Sequence, residues 1–318
     1  MPMKLGDIYR FAVQLAKEND PRTAEELEDD LRRTEERYRK LDDGEKELFD
    51  ADALWNPYAD SRLVHGNPDT DVGGVLWGID IGTGEMLLAD RLRERGRRVD
   101  AVFGHHPLGR ARPKFGDVLH LQEYMFAQMG MPITWAEDIL APRIKEVHRS
   151  SAPSNYDQAV DAARLLDLPL MCLHSVTDNL VDRYLNELME ERGPKRVDDL
   201  ISVLMELPEF RHAAANNNPP EVYVGDRKRR TGKIALKMTG GTAGPKEMYE
   251  GLADAGVGTI VFMHLPESHL EEARKHHMNV VVSGHMATDS LGINLLADRL
   301  EDRGLQVIPC SGLIRARR

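Results

Sequence analysis

The feature that most constrains the fold of this chain is a segment that occurs twice. Residues 169–193, PLMCLHSVTDNLVDRYLNELMEERG, and residues 279–304, NVVVSGHMATDSLGINLLADRLEDRG, share one order: an apolar run, then H-x-x-T-D, then a stretch ending in Arg-Gly. The histidine and the closing glycine are 19 residues apart in both copies. Each copy predicts a strand followed by a helix that a glycine ends. A chain that repeats such a unit is expected to contain two related halves.

A second pair of segments supports this interpretation. The apolar run VLWGIDI, beginning at Val75, is followed by a glycine turn, a helical pattern closed by Gly96 and the apolar run VDAVFG before His105. The runs IALKM and GTIVFM, separated by TGGTAGPKEMYEGLADAG, repeat this order before His264. Strand, helix and strand in succession form the building block of parallel or mixed sheets. We therefore predict an α/β fold with two similar α/β halves that arose by internal duplication.

The two halves differ in length at one place. His105 and His174 are 69 residues apart, whereas His264 and His285 are 21 apart, so the first half carries an insertion at about 107–155 with a mostly helical pattern. Insertions of this size are often lids or subunit contacts. The sequence therefore predicts a helical N-terminal region at 1–70, a first α/β half at 71–193 and a second at 194–318.

Within the N-terminal region, the charged stretch TAEELEDDLRRTEERYRKLDDGEKELF predicts a solvated helix or an arm that contacts a partner subunit. The segment at 55–74 is rich in turn-forming residues and is predicted to be a loop.

Composition narrows the class of protein. A net charge of −11 argues against non-specific binding of nucleic acid, whose phosphates are bound by basic surfaces. The only cysteines, Cys172 and Cys310, cannot cross-link a chain of 318 residues, which favours the reducing cytoplasm. The N-terminal segment lacks the pattern of a signal peptide, and no apolar run reaches the roughly 18–20 residues that span a bilayer. We expect a soluble, cytoplasmic protein that has no membrane partner.

Candidate ligands for a metal follow three predicted strands. His105 and His106 come directly after an apolar strand, and ligands usually bind at the carboxyl ends of strands in open α/β sheets. His285 and Asp289 are four residues apart at the start of a predicted helix, so they share one face. Imidazole together with carboxylate is a common ligand set for transition metals. A structural alternative remains for the repeated H-x-x-T-D, in which Thr288 or Asp289 only caps the helix.

The corresponding pair in the first copy is His174 and Asp178, to which the same two interpretations apply. If the two halves pack about a pseudo-twofold axis, all three strand ends can meet in one cleft. Two ions bridged by a carboxylate could then activate water for hydrolysis.

Motifs for nucleotide binding or for a catalytic nucleophile are weaker or missing. The segment at 82–87, GTGEML, lacks the third glycine of a dinucleotide-binding fingerprint. The segment at 240–246, GGTAGPK, is not a Walker loop, although its backbone could present N–H groups to an anion; a structural turn is the favoured interpretation. No serine lies in a G-x-S-x-G motif, and Cys172 lies in an apolar run typical of a buried strand.

The motifs FGHHP, LHSVTD and GHMATD, with G-I-x-x-L-A-D-x-L after the last, resemble the NIF-three-like family (NGG-one-interacting-factor-three-like), some of whose members are described as type 2-like GTP cyclohydrolases. The resemblance covers most of residues 70–312. It implies two similar α/β domains, a dinuclear metal site and a homo-oligomer, often a ring-like hexamer. Carried to this chain, the implied metal ligands are His105, His106, Asp178, His285 and Asp289.

The chain departs from the family pattern at three points. Asp289 stands where the family usually has Glu, and the expected T-G-E is missing after the predicted strand GTIVFM, where His264 or Glu267 could substitute. The insertion at about 107–155 could reshape access to the site. The candidate catalytic residue is His174, or Glu267 if the fold brings it near the ions, acting as a proton shuttle.

The resulting hypothesis is a metal-dependent hydrolase that holds two divalent ions and acts on a small, nucleotide-like molecule. Zinc, iron, manganese and cobalt all suit a site of histidines and carboxylates. The alternatives are a non-catalytic metal-binding or regulatory oligomer, and a purely structural α/β protein.

Overall fold

The computed structural model describes residues 2–318, and its helices and sheets confirm the α/β class. The strands are, in chain order, β1 Met3–Lys4, β2 Ser61–His65, β3 Asp71–Val72, β4 Gly74–Gly78, β5 Ala101–Gly104, β6 Leu170–Leu173, β7 Glu221–Val224, β8 Lys233–Lys237, β9 Val257–Phe262, β10 Asn279–Val282 and β11 Gln306–Cys310.

The α-helices fall between these strands. In chain order they are α1 Leu5–Glu18, α2 Ala24–Arg39, α3 Asp43–Leu48, α4 Thr83–Glu94, α5 His120–Met129, α6 Ile133–Ser151, α7 Gln158–Leu165, α8 His174–Arg192, α9 Val197–Leu204, α10 Pro208–Ala215, α11 Met248–Asp254, α12 Glu267–Lys275 and α13 His285–Glu301. Short 3-10 helices lie at Ala51–Leu54, Gly109–Ala111 and Phe115–Leu119. Among the described residues, no helix combines the length and the apolar character needed to cross a bilayer.

Two sheets share one arrangement of strands. The first has the order β11-β4-β5-β6-β2, in which β2 is antiparallel to β6 and the other neighbours are parallel. The second has the order β7-β10-β9-β8, in which only β7 is antiparallel. In each sheet an early strand forms the antiparallel edge beside the last of three parallel strands that follow it in the chain, and a long helix follows that last strand; the first sheet has β11 as a fourth parallel strand. The arrangement fits the predicted duplication, which itself stays a prediction.

The helices α8 and α13 lie between the two sheets. Val176 and Leu180 of α8 join the core that covers the first sheet, whereas Val181 and Leu185 join the core that covers the second. Helix α13 divides its apolar residues between the same two cores. Strands with both faces buried need continuous apolar sequence, which explains the apolar runs in the parallel strands. The two helices therefore connect both halves of the molecule.

The two sheets are not formed by the separate segments 71–193 and 194–318. Strand β11, at the C-terminal end, pairs with β4 of the first sheet. The insertion contributes α5 and α6, whose apolar residues Phe126, Leu140 and Ile144 pack in the core of the second sheet. The predicted boundaries followed sequence order, whereas each sheet draws on distant parts of the chain.

The N-terminal region differs from its prediction in one respect. The segment at 55–74, predicted to be a loop, contains the edge strand β2 and the short strand β3. Helix α2 buries only Leu27, which agrees with a solvated helix. Helix α1, in contrast, packs its apolar face into the core of the first sheet.

Candidate metal centre

Three strand ends and the two central helices bring the candidate side chains together. His105 and His106 follow β5 directly, and His174 and His285 are the first residues of α8 and α13. Parallel neighbours end at the same edge of a sheet, so the residues after β5 and β6 lie side by side. Packing of α8 against α13 then brings the second sheet's His285 to the same place.

The ring of His105 is fully buried, and its orientation is fixed by Thr177 of α8. The Thr177 hydroxyl donates to the Leu173 carbonyl at 2.9 Å, so its oxygen accepts from Nδ1 of His105, also at 2.9 Å. With the proton on Nδ1, the lone pair lies on Nε2. Among residues 2–318 that nitrogen has no hydrogen-bond partner, and it lies 3.5 Å from Asp178 Oδ1 and 3.6 Å from Asp289 Oδ1. Unprotonated imidazole nitrogen is the form that binds metals.

Two further histidines are oriented by carboxylates. His106 Nδ1 lies 2.6 Å from Asp80 Oδ1, and His174 Nδ1 lies 2.7 Å from Asp60 Oδ2. Asp60 is completely buried and also accepts a hydrogen bond from the Ser175 hydroxyl. A carboxylate on one ring nitrogen fixes the orientation of the other, and such pairs are common around metals. Both rings are therefore held with Nε2 free.

Asp178 and Asp289 are the two buried carboxylates of the cluster. Oδ1 of Asp178 and both oxygens of Asp289 have no hydrogen-bond partner within the described chain. Oδ1 of Asp289 faces His105, whereas its Oδ2 lies 3.3 Å from His285 Nε2 and 3.7 Å from His106 Nε2. Buried polar atoms without partners are rare in folded proteins, and they often mark a position where an ion binds.

The helix-capping alternative does not fit these contacts. Neither α8 nor α13 has a side-chain cap hydrogen bond at its N-terminus. The Thr288 hydroxyl donates to the Gly284 carbonyl at 2.8 Å instead of accepting from a backbone N–H. Asp178 and Asp289 are thus left free of the helix backbone and turned toward the histidines.

Three groups of side chains have the spacing needed to hold an ion. In each, one ligand atom per residue lies within 4.8 Å of the others: His105, His106 and His174; His106, His285 and Asp289; His105, Asp178 and Asp289. The groups overlap, because His105, His106 and Asp289 each occur in two of them. The described residues therefore fit at least one metal ion.

Ionisation in the cluster is strongly shifted by burial. Burial raises the pKa of Asp289 to about 7, and burial with the nearby Asp289 charge raises the pKa of Asp178 well above its usual value. Burial lowers the pKa of His285 to about 3 and holds that of His105 well below its usual value. Burial also acts to lower the pKa of His106, but the hydrogen bond to Asp80 raises it overall. Without a cation, His105 and His285 are therefore neutral and keep a lone pair for a metal, whereas the two buried carboxyls tend to keep their protons.

Of the two candidate catalytic residues, the structure places only His174 at the cluster. His174 lies within the cluster, its ring 4.7 Å from that of His105 between centroids. Glu267 begins α12 as an exposed residue and is absent from the described residues that line the cavity over the cluster. His264, the other candidate substitute for T-G-E, does line it, and its ring centroid lies 4.8 Å from that of His285.

Sequence reasoning missed Asp60 and Asp80. Asp80 lies just beyond the carboxyl end of β4, as His105 lies beyond β5, so its position after a predicted strand was an available signal. Asp60 lies in the segment that was predicted to be a loop, 114 residues from its partner His174. No pattern in the sequence indicates that pairing.

An open cavity of about 680 Å³ lies over the histidines of the cluster that reach the surface, His106, His174 and His285. His106, His174, His264 and His285 line it on one side, and the glycine loop at 240–242 contributes Gly241 and Thr242. The exposed fraction of the side chain is 27% for His106 and 40% for His285. A small molecule can therefore reach the cluster from solvent.

Comparison with known proteins gave matches among solved structures. A scan against protein-family models and a search of curated proteins found no match. The chain is similar to a NIF3 superfamily protein from Sphaerobacter thermophilus, with 34% identity and a TM-score of 0.70 over 80% of this chain and 92% of that one.

Two more distant structures were also found. Reduced HcgD from Methanocaldococcus jannaschii is 15% identical, with a TM-score of 0.49 over 78% of this chain and 87% of that one. TTHA1606 from Thermus thermophilus is 18% identical, with a TM-score of 0.45 over 80% of this chain and 89% of that one.

Proposed function

Because this chain belongs to the NIF3 superfamily, we propose that it is a metal-dependent hydrolase that holds two divalent ions and acts on a small, nucleotide-like molecule. One observation carries the proposal. Four buried polar atoms that have no hydrogen-bond partner among the described residues lie together beside the histidines that line one open cavity: His105 Nε2, Asp178 Oδ1 and both carboxylate oxygens of Asp289. Purely structural side chains would have found partners within the protein.

The contacts favour a division of the ligands between two ions. One group is His105, Asp178 and Asp289, and the other is His106, His285 and Asp289. Asp289 would serve both, since its two oxygens face different histidines. This arrangement supports a bridging role despite the side chain being one methylene shorter than Glu. The mixture of imidazole and carboxylate suits zinc, iron, manganese or cobalt.

When bound, divalent ions supply Lewis acidity, which polarises the substrate and favours ionisation of water. The protein's own contribution to proton transfer would come from His174. Burial lowers its pKa, so its ring is the free base near neutral pH. Despite burial, the nearby His174 lowers the pKa of Asp60, which can therefore stabilise the ring after it accepts a proton at Nε2. Glu267 has no part in this proposal, because it does not line the cavity.

The open cavity supports an enzyme over the alternative of a non-catalytic metal-binding protein. A structural metal is usually enclosed by protein ligands, whereas a catalytic one keeps a position open to solvent. His106 and His285 are both partly exposed at the cavity floor. We further propose a cytoplasmic homo-oligomer, a hexamer by resemblance to the family, and GTP as the first substrate to test.

The decisive experiment measures metal per chain by elemental analysis of untagged protein. We expect about two ions in the wild type, and a loss in both His105→Ala and His285→Ala, because each removes a ligand from a different group. His212→Ala is the matched control, since His212 lies on α10 outside the cluster. A wild type that holds no metal after reconstitution with zinc, iron or manganese would refute the proposal.

Activity is tested separately on the loaded protein. A panel of nucleotides, phosphoesters and amides, with GTP included, should contain a substrate whose turnover is lost in His174→Ala while metal content is retained. Two stable ions without turnover of any panel member would favour the non-catalytic alternative.

A further inference from the structure

The cavity over the metal cluster contains one uncompensated cation. Arg112 is the only arginine or lysine among the described residues that line it. Its neighbour Arg110 is paired with Asp50 and Asp52 at 2.9 and 2.6 Å, whereas the Arg112 guanidinium forms no ion pair within the described chain. An arginine without an acidic partner at a binding cavity is free to bind an anion from solution.

The position of Arg112 is set by aromatic contacts. Its guanidinium lies over the ring of Phe115, 5.3 Å from the centroid. The Phe115 ring in turn meets the ring of His174 edge-on, at 5.4 Å between centroids. The charge of Arg112 is close enough to act against protonation of both His106 and His174. The guanidinium is therefore held beside the cluster instead of extending freely into solvent.

The glycine loop that follows β8 forms another part of the same cavity wall. Gly240 and Gly241 have φ values of +85° and +84°, and Gly241 and Thr242 line the cavity. The loop carbonyls are held by side chains: Gln122 donates to the carbonyls of Gly240 and Thr242 at 2.5 and 2.8 Å, and Lys237 donates to that of Thr242 at 2.9 Å.

The N–H groups of this loop have no such partners. Within the described chain, the backbone N–H groups of residues 240–244 donate no hydrogen bond to backbone or side chain. Successive free N–H groups on glycine backbone form concave sites that bind anions. The buried ammonium of Lys237 beneath the loop adds positive charge there.

From these two features we infer that the substrate carries an oxyanion, a phosphoryl or carboxylate group, which binds between the Arg112 guanidinium and the backbone N–H groups of Gly241 and Thr242. This inference rests on the proposed function and specifies its substrate class. The anion would be held at the cavity wall, and the rest of the molecule would extend over the histidines. Arg112, which belongs to the insertion, makes the site select anionic over neutral substrates.

The test uses two small probes on the zinc-loaded full chain, methyl phosphate and acetate, titrated separately by calorimetry. Arg112→Gln should weaken binding of the preferred probe at least tenfold, the usual effect of losing a charged hydrogen bond. Arg112→Lys should bind with intermediate affinity, because it keeps the charge but loses the planar fork. Arg110→Gln, which removes a paired and exposed arginine, should bind like the wild type. The stronger of the two probes identifies the class of oxyanion.

A second readout reports on the loop directly. In NMR spectra of the amide groups, methyl phosphate or acetate should move the signals of Gly241 and Thr242 downfield in the wild type and much less in Arg112→Gln. Equal affinity in Arg112→Gln and wild type, or probe binding that leaves both amides unmoved, would overturn the inference.

Elemental analysis of the same samples separates this inference from the proposed function. Zinc-loaded protein that binds neither probe at millimolar concentration refutes the oxyanion site and leaves the metal site standing. If the chain holds no metal after reconstitution with zinc, iron or manganese, the proposed function fails, and the same titrations on the metal-free chain still decide the anion site.

Discussion

Asp289 has the most demanding environment of the side chains in the cluster. Its carboxylate is buried and has no hydrogen-bond partner in the part of the chain that the structure describes, where it belongs to two of the three possible metal groups. An ionised carboxylate in such a place is costly unless a cation compensates it. Without metal, the residue should therefore destabilise the fold, whereas with metal it should help to bind the ion that stabilises it.

The first prediction is that removing the Asp289 carboxylate stabilises the metal-free chain and destabilises the metal-loaded chain. Because the pKa of Asp289 is about 7 in the folded chain against 3.8 for an ordinary Asp, the folded state binds more protons between these values. The contribution of Asp289 to stability therefore falls as the pH rises through this window. With a chelator present, Asp289→Asn should melt at a higher temperature than the wild type, and its advantage should grow from pH 5 to pH 8. Calorimetric melting at both pH values measures it.

With zinc bound, the wild type should instead melt at a higher temperature than Asp289→Asn, because an ion that binds only the folded state raises its stability. Asp69→Asn is the control, since Asp69 is exposed and its side chain forms no ion pair or hydrogen bond with any described residue. Equal melting temperatures of Asp289→Asn and wild type at pH 8 in chelator would show that the carboxylate is already compensated by the protein.

Single residues also show what could be predicted from sequence. His105, His106, His174, His285 and their carboxylates were found because each follows an apolar run or lies in the repeated H-x-x-T-D. The structure brings all of them together, although their role as ligands stays a prediction. Asp60 escaped because its importance arises only from a contact with a residue far along the chain. Such pairings depend on tertiary packing and leave no local pattern.

At the scale of elements, the cluster depends on how closely α8 approaches α13. Gly292 of α13 lies against the backbone of α8: a Cβ there would be 2.5 Å from the Thr177 carbonyl oxygen and 3.3 Å from a methyl group of Val181. Thr177 is next to Asp178 in sequence, and Gly292 lies three residues after Asp289. Any spreading of the helices at this point would separate the two carboxylates.

The second prediction is that Gly292→Ala destabilises the chain and weakens its hold on metal. Overpacking costs about 1–3 kcal/mol, more than the roughly 1 kcal/mol that alanine gains in helix propensity. Urea unfolding and elemental analysis of the loaded variant measure the two effects. Gly84→Ala in α4 is the matched control, since no atom lies within 4 Å of its Cβ and it should be neutral or slightly stabilising. A Gly292→Ala chain as stable and as metal-rich as the wild type would contradict this account.

Elements with a strong local pattern were predicted well, and the others were not. The parallel strands other than β11, and the helices α4, α8 and α13, follow the apolar runs and closing glycines of the sequence. Strand β2 lies where the sequence predicts a loop, because its residues, SRLVH, alternate poorly and lie among prolines, asparagines and glycines. Its strand conformation is imposed by antiparallel pairing with β6, more than a hundred residues away.

At the scale of the whole molecule, the chain passes between the sheets more than once. It leaves the first sheet after β6, builds the second from β7 to β10, and returns through α13 to add β11 beside β4. The insertion, although placed in the first half by sequence order, completes the core of the second sheet. A prediction that cuts the sequence at one position cannot represent such an exchange, because periodicity identifies elements but not which sheet they join.

The interleaved connections predict how the molecule unfolds. Opening the second sheet alone would expose the apolar side chains of α8 and α13 that pack in its core, among them Val181, Leu185 and Leu291, so we expect that neither sheet unfolds without the other. Native-state hydrogen exchange in increasing urea, read by mass spectrometry on peptides from β5 and β9, should give the same free energy of opening for both strands. Helix α3 provides the internal control, since it buries no side chain and should exchange by local fraying at every urea concentration. If β9 opened at a clearly lower free energy than β5, the second sheet would be an independent unit, and the central helices would not couple the two halves of the metal site.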